Sequence, residues 1–190
     1  MIDRRGALAS VAAMFGTAVF APIARAAGPA GPVAAIPKIS DGPPSVAVFT
    51  PAQREAVTVL SERILPTTDT PGAIAAGVPA YIEKLLADWS YPKEREPLIA
   101  GLTMLEARSQ QDYKVPVAKA TAAQQDALLT LAMNDQLPGG SPFFLAFRQL
   151  VLTGYYTSEI GMTQEREYLP VPGEYNGAFP YSKVNKVYTA

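Results

Sequence analysis

The sequence predicts an all-α protein: an irregular bundle of about five helices with an extended, aromatic-rich C-terminal tail. Three observations carry that expectation. Between residues 49 and 158, apolar residues recur at spacings of three and four, the period of helices with one buried face. The breaks between these segments fall at prolines, glycines and capping hydroxyls. No run alternates cleanly enough to be a strand. With 190 residues and 48% hydrophobic content, the chain can bury one domain-sized core.

The first predicted helix covers residues 51–65. Thr50 is its N-cap, Pro51 suits the first helical position and Gln53 completes a capping box. Ala56, Val57, Val59, Leu60 and Ile64 form its apolar stripe. Pro66 ends it, because proline pushes the preceding residue out of helical geometry. The second is expected over residues 78–89, with Pro79 in the first turn and Ile82, Leu85, Leu86 and Trp89 inward. The pair Tyr91-Pro92 breaks it. A third helix covers residues 93–110, with Leu98, Ile99, Leu102 and Leu105 inward. A short connection, 112–120, leads to Thr121, the cap of a fourth helix over 122–134. Its apolar residues are Leu128, Leu129, Leu131 and Ala132. The stretch "LPGGS" is a turn; Ser141 reads as the fifth cap and Pro142 as that helix's first residue. The fifth helix, "PFFLAFRQLVLTGYYTS", is apolar almost all round, which predicts a central position.

Outside this domain (49–158), the ends differ in character. Residues 1–26 contain the consecutive Arg4 and Arg5, then Leu8, an Ala/Gly-rich apolar run and the cleavage pattern Ala24-Arg25-Ala26. This is similar to a twin-arginine export signal. The competing reading is a membrane anchor, but the run is short for about 20 spanning residues and contains Gly16, Thr17 and Pro22. Residues 27–48 are a Pro/Gly-rich leader, read as a flexible spacer. Residues 159–190 form the tail. Its tyrosines suggest a partner, since aromatics are enriched at interfaces.

Composition excludes several chemistries. The chain has no cysteine and no histidine. Thiol nucleophiles, disulfides, thiolate metal sites and Ser-His catalysis are therefore ruled out. A formal net charge of −1 gives no argument for nucleic acid or an anionic membrane surface. The cluster Thr67-Thr68-Asp69-Thr70 could supply oxygens to a metal, but lacks the alternating acids of a calcium loop. A proline-set turn held by Asp69 or Thr70 explains it as well, and docking to a partner is a third use. Glu94 with Glu96, and Glu165 with Glu167, could act as acid/base pairs. Residues two apart on a helix do not face each other, which favours solvated charge. Trp89 and the pair Tyr155-Tyr156 read as packing before ligand binding.

The stretch "ILPTTDTPGAIAAGV", with "FFLAFRQLVLTGYYTSEIG" and "YLPVPGEYNGAFPY", resembles the gluconate 2-dehydrogenase subunit 3 family. That resemblance implies a small subunit without a redox centre, exported to the periplasm with a larger FAD-containing dehydrogenase subunit of the glucose-methanol-choline type. It also implies a c-type cytochrome as a further partner, and membrane contact only through partners. In this reading the chain holds no cofactor, catalytic residue or metal ligand of its own. It would assist folding and carry the flavoprotein through the twin-arginine route. The signal residues are Arg4, Arg5, Leu8, Ala24 and Ala26. The expected partner surface is Thr68, Asp69, Tyr155, Tyr156, Glu159, Tyr168, Tyr175, Phe179 and Tyr181. Where family tails often read Gly-Cys, this chain has Gly177-Ala178, so any role of that cysteine is missing. Two rivals remain: a free-standing carboxylate-dependent periplasmic enzyme using Asp69, and an unrelated periplasmic binding module.

Overall fold

A computed structural model describes residues 42–168 and, beyond them, 173, 176–178, 180, 182 and 187–189. The expected signal segment, most of the leader, and Tyr175, Phe179 and Tyr181 lie outside the described residues. The described chain is all-α in architecture, an irregular bundle of five α-helices. They are α1 (Pro51–Ile64), α2 (Val78–Asp88), α3 (Pro92–Tyr113), α4 (Ala122–Met133) and α5 (Gly140–Tyr156). A 3-10 turn, Val117–Lys119, joins α3 to α4. A π-helical turn, Gly161–Glu165, follows α5. Two short strands, β1 (Glu167–Tyr168) and β2 (Tyr188–Thr189), pair in parallel, Glu167 against Tyr188 and Tyr168 against Thr189.

The caps explain most boundaries. Thr50 Oγ1 accepts from the Gln53 amide (3.2 Å), and Gln53 Oε1 accepts from the Thr50 amide (3.0 Å). Thr121 and Gln124 repeat this box at α4, at 3.4 and 2.8 Å. Each box satisfies donors that the first turn leaves without partners. α5 begins earlier than expected. Its N-cap is Gly139 at φ 69°, a left-handed conformation that glycine adopts at no steric cost. Ser141 is therefore inside the helix, and its amide donates to Asp135 Oδ1 (3.3 Å).

α5 touches all four other helices, as its composition predicts. It is not buried all round: Phe143, Phe147, Val151 and Tyr155 form one buried stripe, while Leu145 is 58% exposed. The Phe143 and Phe147 rings stack with centroids 5.7 Å apart. Gly101 of α3 lies directly on the Phe143 ring, where a Cβ would overlap it. Leu98, Leu102 and Leu105 flank this contact from α3, and Leu128, Leu129 and Ala132 close the core from α4.

Trp89 departs from expectation. It is the residue that caps α2, and it is 72% exposed. The buried stripe of α2 runs through Val78, Ile82 and Leu86, at spacing four, so the core ends before position 89. Glu83 is buried on the same helix, where its carboxylate receives two hydrogen bonds from Arg54 of α1 (2.7 and 2.6 Å). The hydrogen bond to Glu83, then its charge, raises the Arg54 pKa.

The described end of the leader is tied to α2. The Ser45 amide donates to Asp88 Oδ1 (2.9 Å), and Lys84 Nζ donates to the Pro43 carbonyl (3.1 Å). The hydrogen bonds from Lys84 and then Ser45 lower the Asp88 carboxyl to about 2. Phe49, four residues on, is buried in the core.

Gly101→Ala forces a methyl into the Phe143 ring, so α3 and α5 must separate. The variant is expected to lose about 1–3 kcal/mol, the usual cost of overpacking a filled core. A urea titration against wild type measures it; an unchanged midpoint would show that the contact yields.

Candidate functional site

Between α1 and α2 the chain makes an elbow, residues 65–77, held by a carboxylate outside it. Glu62, in the last turn of α1, receives three hydrogen bonds. The Thr67 amide and hydroxyl donate to Oε1 (both 2.9 Å), and the Ile74 amide donates to Oε2 (2.9 Å). Thr67 Oγ1 in turn accepts from the Gly72 amide (3.0 Å). Gly72 sits so close that a Cβ would overlap the Glu62 carboxylate. The Ala73 amide returns to the Leu65 carbonyl (2.9 Å), and the Ala73 side chain is buried. Partial burial raises the Glu62 pKa, but the bonds from Ile74 and Thr67 and the charge of Arg63 outweigh it, so the net shift is downward.

The tip of the elbow carries the hydroxyl cluster. Thr68 Oγ1 donates to Asp69 Oδ1 (2.9 Å), and the Thr68 amide donates to the Thr70 carbonyl (3.0 Å). Thr68 and Asp69 are both exposed. Thr70 points elsewhere: its hydroxyl donates to Glu165 Oε2 of the π-helical turn (2.6 Å). Tyr155 Oη donates to the Pro71 carbonyl (2.8 Å). The elbow is thus joined to the end of α5 and to the turn after it, more than eighty residues along the chain.

Of the expected partner surface, the structure brings some residues together. Tyr155 is buried and serves this chain's own elbow. Tyr156 is half-buried, its ring edge-on to Tyr155 at 5.3 Å, with the Arg166 guanidinium 4.4 Å over its face. Such a cation–π contact contributes about 0.5–1 kcal/mol at exposed sites. Glu159 and Tyr168 are exposed. One member of each suspected carboxylate pair is already engaged. Glu94 accepts from the Tyr91 amide (2.9 Å), while Glu165 is engaged by Thr70. Among the described residues no group of three or more acidic side chains is arranged to hold a metal ion. Among them also, no helix is long and apolar enough to cross a membrane.

The sequence reading missed Glu62 and the Thr70–Glu165 contact. A signal for Glu62 existed: an acid in the last turn of a helix opposes the helix dipole, so its carboxylate has another use. Nothing in sequence spacing indicates a partner ninety-five positions away.

The described residues thus form a small α-helical bundle whose elbow is held by Glu62 and tied to the end of α5. The gluconate 2-dehydrogenase subunit 3 family model matches residues 51–173, from the start of α1 past the π-helical turn. The chain belongs to that family, the family of a subunit of a dehydrogenase complex. No curated protein and no solved structure matches it.

Glu62→Gln replaces one acceptor oxygen by an amide that faces backbone donors. The expected cost at pH 7 is about 1–3 kcal/mol, that of leaving a hydrogen-bonding group unsatisfied. The folded pKa of Glu62 is lowered, so its contribution is complete above the ordinary glutamate value of about 4.3. It is lost as pH falls through the lowered value. Urea midpoints of wild type and variant are expected to differ at pH 7 and to converge on acidification. A constant difference down to strongly acidic pH would contradict this account.

Proposed function

We propose that the chain is the non-catalytic small subunit of an exported FAD-dependent dehydrogenase of the glucose-methanol-choline type. Its work is to support folding and assembly of the flavoprotein subunit and to lend it a twin-arginine signal. The family match over residues 51–173 carries this reading. The residue inventory supports it: without histidine or cysteine, the chain lacks the commonest proton shuttle and thiol chemistry. The engagement of Glu62, Glu94 and Glu165 in holding backbone and hydroxyl groups supports it further. FAD belongs to the partner subunit, and a c-type cytochrome is a further partner in the complex. The assembled enzyme would face the periplasm, reaching the membrane through its partners, and act on a sugar, sugar acid or polyol.

Co-expression of the chain with its large subunit tests the escort role. Changing Arg4→Lys together with Arg5→Lys is expected to leave the flavoprotein in the cytoplasm. Cell fractionation followed by dye-linked dehydrogenase assay reads the result. Undiminished export and activity in the periplasm would sink the escort role.

A further inference from the structure

Arg63, the residue after Glu62, faces a groove between α1, α4 and α5. The groove encloses about 340 Å³, and Leu129, Met133 and Phe144 line it beside Arg63, Asp126 and Arg148. That volume lies at the lower end of ligand-sized hollows, enough for one or two large apolar side chains. Its apolar wall reaches solvent: Met133 is 49% exposed and Phe144 is half-buried. Methionine is adaptable in shape and suits a surface that receives another protein.

The charges of the groove are unequal. Asp126 is gripped by Arg63 in a two-point pair, Nε to Oδ1 and Nη2 to Oδ2, both at 2.7 Å. The Arg63 hydrogen bonds outweigh partial burial and, with its charge, lower the Asp126 carboxyl. Arg148 is exposed and has no hydrogen bond or ion pair among the described residues. The groove therefore presents an uncompensated guanidinium, on a chain whose formal net charge is −1. A guanidinium fork matches a carboxylate with two parallel hydrogen bonds.

We propose that this groove docks an acidic segment of the larger dehydrogenase subunit, with a carboxylate on Arg148 and a neighbouring apolar side chain between Met133 and Phe144. The inference rests on the subunit reading above and adds the place and chemistry of contact. Charge complementarity selects the carboxylate, and the exposed methionine and phenylalanine edge select the apolar neighbour. The Arg63–Asp126 pair stays intact and forms the fixed wall.

Titration of the purified chain onto its purified large subunit tests the contact. Arg148→Glu is expected to weaken binding by about tenfold or more, because it sets like charges together. Arg148→Lys keeps the charge but loses the two-point fork, and is expected to weaken binding less than Arg148→Glu does. Circular dichroism confirms that each variant retains its helices. The absence of cysteine allows a second readout. Met133→Cys carries a single thiol for a benzophenone photo-crosslinker, and the expected product is a large-subunit peptide containing Asp or Glu. Wild-type affinity in Arg148→Glu, or cross-links confined to peptides without acids, overturns the groove and leaves the subunit reading standing. A wild-type chain that does not bind the flavoprotein overturns both.

Discussion

One carboxylate at the end of α1 decides how the chain enters α2. Glu62 gathers the Thr67 amide, the Thr67 hydroxyl and the Ile74 amide onto two oxygens. Backbone donors in a turn need partners, and water supplies them only where the turn is open. Here a charged acceptor replaces water, and charge-assisted bonds are stronger than neutral ones. The consequence is geometric. With Thr67 and Ile74 pinned to one side chain, the loop between them closes, and Gly72 is pressed to the carboxylate with no space for a side chain. Ala73 then enters the core, and α2 starts at Val78 with its buried face already aimed.

The same closure joins distant parts of the chain. Closing the elbow presents the Pro71 carbonyl to Tyr155 and the Thr70 hydroxyl to Glu165. Thr70 and Pro71 belong to the elbow segment that carries the family resemblance; Tyr155 belongs to the α5 segment that carries it, and Glu165 lies just beyond. The hydroxyls that resemble an active-site cluster divide their labour: Thr67 and Thr70 hold the fold, and Thr68 and Asp69 occupy the exposed tip.

Much of the fold was legible because it rests on local chemistry. Thr50 with Gln53, and Thr121 with Gln124, announce helix starts through residues three apart. Pro66 announces an end. The apolar stripes of α1, α3 and α4 follow helical spacing: Ala56, Val57, Leu60, Leu98, Leu102, Leu105, Leu128, Leu129 and Ala132 are buried, and Val59, Ile64, Ile99 and Leu131 pack partly buried at the margin. Legibility failed where a residue's role depends on what lies opposite it. Trp89 falls on helical spacing but beyond the last turn that has a core to face. Ser141 has the chemistry of a cap, yet Gly139 supplies the left-handed bend first. Glu83 and Glu62 look like surface acids in sequence, and only the packed structure brings Arg54 and the elbow amides to them. The π-helical turn and the strand pair leave no periodic trace, being one turn and two residues long.

The last turn of α1 carries two opposite charges in consecutive positions, about 100° apart around the helix. Glu62 faces the elbow and Arg63 faces the groove beside α4. Both engage groups fixed to other elements, Glu62 the backbone leading into α2 and Arg63 the carboxylate of Asp126. Rotation of that turn would break both sets of bonds together, so each one restrains the other. The end of α1 is therefore a common fixed point for the elbow and for the wall of the groove. A partner that binds the groove meets a surface whose geometry is set before contact. Such preorganisation reduces the ordering cost of association and leaves more of the contact energy as affinity.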